Sequence, residues 1–141
     1  MTATADTSNP DAEAIRCLLS DYGRLLDARD WDAWAALFTP DGQWIGGDYG
    51  VIGGRDALVA FGRREFDGTP PCVHMLSNMA VRPDGDRATA WSRWLVVEQQ
   101  GDGTLRITLA GSYADELVRL AEGWRFARRT ATLDLPAMSP A

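Results

Sequence analysis

The feature that most constrains this chain is the way its second half is written. Four stretches, about 72–82, 87–99, 104–118 and 124–133, are separated by Pro83-Asp84-Gly85-Asp86, Gly101-Asp102-Gly103 and Ala121-Glu122-Gly123. Asp-Gly and Gly-rich breaks of this length are hairpin turns, so four strands in this order predict an antiparallel meander. The first half has a different period. Ile15, Leu18, Leu19, Tyr22 and Leu26 recur at three- and four-residue spacing, which predicts an amphipathic helix over about 11–28. Asp30 reads as the N-cap of a shorter helix carrying Trp31, Trp34, Leu37 and Phe38, stopped by the turn Thr39-Pro40-Asp41-Gly42. Gln43-Trp44-Ile45 reads as a short strand, the following glycines as a loop, and 55–66 as a third helix burying Leu58, Val59, Phe61 and Phe66. Helices first and a meander after them predict an α+β fold.

Alternation puts Ala90, Ser92, Trp94 and Val96 on one side of the second meander strand and Trp91, Arg93, Leu95 and Val97 on the other. Leu109, Gly111 and Tyr113 share a side of the third. Apolar residues on both faces are unusual for a sheet with one wet face. One face is therefore expected to line a pocket. The other is expected to pack on a helix or on a second copy, most simply as a homodimer.

Length and charge narrow the partners. The 141 residues fit one domain, read as 11–134, with a polar lead over 1–10 and a tail over 135–141 that is a candidate lid for the pocket. A formal net charge of -6 argues against nucleic acid or an anionic membrane as partner. No apolar run approaches the length of a membrane span, and the first ten residues contain no apolar stretch of leader type, so a cytoplasmic protein is expected. All 14 basic residues are Arg, which excludes a Schiff base to lysine. One His and two unpaired Cys, Cys17 and Cys72, are too few for a zinc site, and no metal or cofactor is expected. The glycines over 46–54 lack the Gly-Lys-Ser/Thr ending of a phosphate loop.

The sole histidine, His74, is the side chain best suited to proton transfer near neutral pH. On a strand it shares a face with Cys72, Leu76 and Asn78, while Val73, Met75 and Ser77 face away. Without a partner it reads first as a hydrogen-bonded structural histidine in a sheet. Asp27, near the end of the first helix, lies off the centre of the apolar stripe, facing a cavity edge or water.

The series Ile15-x-x-Leu18-x-x-x-Tyr22-x-x-x-Leu26-Asp27-x-x-Asp30-Trp31, then Phe38-Thr39-Pro40-Asp41-Gly42, His74-x-x-x-Asn78 and Gly123-Trp124-x-Phe126 resembles the SnoaL-like branch of the nuclear-transport-factor-two superfamily. Within it the pattern is most similar to scytalone dehydratase, hexachlorocyclohexane dehydrochlorinase and bile-acid dehydratase. The resemblance covers about residues 12–133. It implies a cone of strongly curved antiparallel sheet and three N-terminal helices around a deep apolar pocket. It also implies a catalytic pair of Asp27 and His74, the partner that the lone histidine lacked. By the same matching, Trp44, Cys72, Asn78, Trp94, Val96 and Tyr113 bind substrate, Tyr22 reaches the pocket, and Arg129 faces a leaving group; a one-residue register change would exchange Arg129 with Arg128. The second active-site His of scytalone dehydratase has no counterpart here, and Tyr113 stands near where its Asn falls.

The expected activity is that of a cofactor-free lyase or isomerase of dehydratase type, acting on a small, apolar, cyclic substrate. The alternatives are a polyketide-type cyclase or epoxide hydrolase in the same pocket, or a non-catalytic assembly module of the same fold.

Overall fold

The computed structural model describes residues 9–137. Helix α1 spans Pro10–Ala28. Asn9 caps it, its side chain accepting from the N–H groups of Asp11 and Ala12, and Pro10 follows at the first helical position, where its missing N–H costs nothing. The predicted stripe of Ile15, Leu18, Leu19, Tyr22 and Leu26 is buried. Helix α2 (Trp31–Ala35) is capped by Asp30, and α3 spans Arg55–Phe66. Leu58 and Phe61 of α3 are buried, with Val59 and Phe66 packed half-buried against the core.

The strands are β1 (Phe38–Gly46), β2 (Val51–Gly53), β3 (Cys72–Asp84), β4 (Arg87–Gln99), β5 (Leu105–Leu120) and β6 (Gly123–Leu135). They form one six-stranded sheet in the order β2-β1-β6-β5-β4-β3. The meander β3–β6 is antiparallel as predicted. Gly85 takes φ +61 in its first turn, and Asp102 closes the second by accepting from the N–H and hydroxyl of Thr104.

Four features depart from the sequence reading. The second helix stops at Ala35, and Phe38 already pairs with Phe126 of β6. Thr39-Pro40-Asp41-Gly42 lies inside β1, where the register shifts between Phe38 and Gln43. Proline has no N–H to give a ladder, so the strand bulges there and resumes. Strand β1 also runs parallel to β6, a pairing that hairpin turns cannot announce. The glycine stretch contains a 3₁₀ turn (Gly47–Tyr49) and the short β2 rather than an unstructured loop. The lead over 1–8 and the tail over 138–141, including most of the candidate lid, lie outside the described residues.

The helices cover the inner face of the sheet. That face carries Ala88, Ala90, Ser92, Trp94 and Val96 of β4, and Gly111, Tyr113, Asp115 and Leu117 of β5, all buried. The outer face carries Trp91, Arg93, Ala114, Glu116 and Arg128 and is exposed.

Candidate active site

The site begins with close packing of α1 on β3. At Gly23 a side chain would place its Cβ 3.1 Å from the Leu76 side chain and 3.6 Å from the His74 carbonyl, so a larger residue would have to push Leu76 aside by a few tenths of an ångström. One helical turn later Asp27 falls over His74. Its carboxylate meets the histidine twice. Oδ1 is 2.7 Å from His74 Nδ1, and the His74 backbone N–H donates to Oδ2 at 2.9 Å and to Oδ1 at 3.1 Å. The backbone donor is available because β3 is an edge strand of the sheet. Beyond Asp27, the chain leaves α1 at Arg29 in the left-handed conformation (φ 57). The Arg29 guanidinium donates to the carbonyls of Phe66, Thr69 and Pro70, the segment that leads into Cys72 and His74. Both ends of the Asp–His contact are thus tied together by one arginine.

The pair is largely withdrawn from water: the His74 side chain is 8% exposed and that of Asp27 19%. Burial by itself pushes the imidazole down. The Asp27 hydrogen bond and charge, with the Cys72 side chain, outweigh it and raise His74 from 6.5 to about 9. At neutral pH the imidazole is therefore mostly protonated. Nδ1 is engaged by Asp27, which leaves Nε2 to face a reactant. Phe66 packs edge-on to the imidazole, ring centroids 6.2 Å apart.

Further along the inner face stands an aromatic wall. Trp44 Nε1 donates to the Tyr22 hydroxyl at 3.1 Å, and the Tyr22 and Tyr113 rings meet edge to face at 5.5 Å. Burial raises both phenols, so they stay protonated. Trp94 lies against Tyr113, its indole donating to the Ser112 carbonyl, and passes over Gly111, where a Cβ would fall 2.4 Å from its ring. Val96 is buried beside it on the same strand face. Tyr22, Trp44, Cys72, Trp94, Val96 and Tyr113 are thus brought to the helix-covered side, with Asp27 and His74 toward the β3 edge.

Two expected contacts fall elsewhere. Asn78 adopts φ +54 at a β3 bulge, where the register shifts between Ser77 and Ala80, and its side chain is exposed. The bulge inserts one residue, which ends the alternation that put Asn78 beside His74. Arg129 does point inward while Arg128 faces out, but Arg129 is fully buried and already engaged. Its Nε and Nη2 donate to Asp115 at 2.8 and 3.0 Å, and its guanidinium stacks on Tyr22, Tyr113 and Phe126 at 4.1, 3.8 and 4.5 Å. Only Nη1 lacks a partner. The expected leaving-group contact is thus replaced by a structural ion pair.

Asp115 was missed in the sequence, although alternation from Gly111 and Tyr113 leads straight to it. A trough of about 540 Å³ on the outer face is lined by Trp91, Arg82, Glu116 and Arg128, and neither Asp27 nor His74 reaches it.

The comparisons with known proteins agree with this architecture. Proteins of Mycobacterium tuberculosis and Mycobacterium bovis, described as uncharacterized, are 35% identical over 129 residues, covering 86% of this chain and 84% of theirs. A nuclear-transport-factor-2-like protein from Novosphingobium aromaticivorans superposes with a TM-score of 0.81 at 27% identity, covering 96% of this chain and 94% of that one. ActVI-ORFA from Streptomyces coelicolor superposes at 0.77 and 25% identity, over 86% and 96% of the two chains. A Catenulispora acidiphila protein solved in complex with S-DNPA superposes at 0.78 and 25% identity, over 86% and 92%. The model of the SnoaL-like domain matches residues 8–130, and the chain belongs to that family, within the nuclear-transport-factor-2-like fold.

Proposed function

We propose that this protein is a cofactor-free lyase or isomerase of elimination type, in which His74 takes a proton from carbon and Asp27 fixes and stabilises its ring. The observation that carries this reading is the 2.7 Å contact between Nδ1 and the Asp27 carboxylate, anchored a second time through the His74 backbone. A carboxylate there holds the tautomer with Nε2 as the free base and stabilises the imidazolium as it forms. A non-catalytic module does not need such a pair. The inner-face side chains nearest the pair, Trp44, Tyr22, Tyr113, Trp94 and Val96, are aromatic or apolar, which favours an apolar ring as the reactant. The complex of the Catenulispora relative with S-DNPA supports a small organic ligand. With Arg129 committed to Asp115, a reaction releasing water fits better than one releasing a halide to that guanidinium.

A base raised to about 9 is mostly protonated at pH 7, so turnover should climb about tenfold per pH unit until that value. The test is a panel of cyclic β-hydroxy ketones in heavy water, read by mass spectrometry for deuterium at the α-carbon and for loss of water. His74→Ala should cut either signal by about 10²- to 10⁴-fold while circular dichroism stays unchanged. Full exchange in His74→Ala would place the base elsewhere.

The exposed outer face is proposed to be covered by a second copy of the chain. By register, Val73, Val97 and Ile107 form one row and Met75 and Leu95 the next, and Val73, Met75 and Ile107 are each more than half exposed.

A further inference from the structure

The proposed proton transfer does not use Cys72, yet its sulfur is not isolated. Cys72 and His74 are two residues apart on β3, so both side chains leave the same face of the strand. The Cys72 sulfur, a ring nitrogen of His74 and a carboxylate oxygen of Asp27 all lie within 4.8 Å of one another. Cys72 is half-buried beside the largely buried pair, and the segment entering the strand is held by Arg29. The other thiol, Cys17, is exposed on α1 and meets only a carboxylate, Glu13 Oε1 at 4.0 Å. A sulfur next to an imidazolium has a cation to stabilise its anion; one next to a carboxylate alone has a like charge waiting for it.

We propose that Cys72 is a covalent acceptor site for α,β-unsaturated carbonyl compounds, with the Asp27–His74 pair as its proton donor. The thiol proton is released to solvent, leaving a sulfur anion beside the imidazolium that Asp27 holds. Sulfur bonds to the β-carbon, the C=C electron pair moves toward the carbonyl as an enolate, and the imidazolium gives its proton to the α-carbon and regains one from solvent. The product is a thioether, and no oxidant, reductant or metal enters the balance. This electrophile class suits the site because the reaction asks only for a soft nucleophile and one proton donor within a few ångströms. The inference rests on the geometry of the three side chains and is independent of the reaction proposed for His74.

The test uses 2-cyclopenten-1-one with the full-length protein, following modification of Cys72 and Cys17 separately by peptide mass spectrometry. The urea-unfolded chain gives the intrinsic ratio of the two rates. In the folded protein Cys72 should react at least about tenfold faster than Cys17, although Cys17 is the more exposed thiol. His74→Gln should remove that preference, and should it unfold, Asp27→Asn in the intact fold should lower it several-fold. Faster reaction at Cys17, or a Cys72 rate unchanged in a folded His74 or Asp27 variant, would overturn the proposal.

Discussion

His74 carries a consequence for stability as well as for rate. Its folded value of about 9 lies above the ordinary 6.5, so the folded state holds the proton more tightly than the unfolded chain. The linked stability is fully present below pH 6.5, declines as pH rises, and is gone once pH has passed the folded value. With a difference of this size the effect is up to about 3 kcal/mol. Urea unfolding at pH 6 and pH 9.5 should show the loss, and His74→Ala should flatten most of the difference. His74 stood out as the sole histidine, and its contact with Asp27 was expected from the resemblance. The backbone anchor was not, because it depends on β3 being an edge strand, which no local pattern states. Asn78 failed for a related reason: a single inserted residue changes which way a strand's side chains face, and nothing around Ser77-Asn78-Met79 marks the bulge.

Among the elements, the joint between α1 and β3 decides the site. Arg29 ends the helix that carries Asp27 and grips three carbonyls of the segment entering the strand that carries His74. Arg29→Met keeps the apolar stem and leaves those carbonyls unpaired. We expect it to cost about 1–3 kcal/mol in urea unfolding and to loosen the Asp27–His74 contact, seen as a fall in the His74 pKa. An unchanged stability and pKa would mean the segment is held by other contacts. The helices and meander were readable because their hydrophobic periods are long and clean. The end of α2 was misread because Leu37 and Phe38 continue its apolar pattern while their backbone already turns toward β6, where Phe126 N–H donates to the Leu37 carbonyl. Tertiary pairing overrides local pattern there, and the parallel β1–β6 pairing has no local signature at all.

For the whole molecule, the two-sided apolar sheet has a structural meaning. Its inner face is closed by helices and by the Arg129–Asp115 pair among three aromatic rings, while its outer face leaves an apolar strip in water. Light scattering should give a dimer mass at micromolar concentration, and Ile107→Arg should shift it toward monomer; a monomer mass for the unaltered protein would remove the second copy from the account. The central claim is that Asp27 and His74 act as one unit. Because His74 is the sole histidine, its ring carbon-bound protons can be followed by NMR from pH 5 to 10.5 without ambiguity. The ring should titrate near 9, and the midpoint should drop by a unit or more in Asp27→Asn. A midpoint near 6.5 that ignores the Asp27 substitution would contradict it.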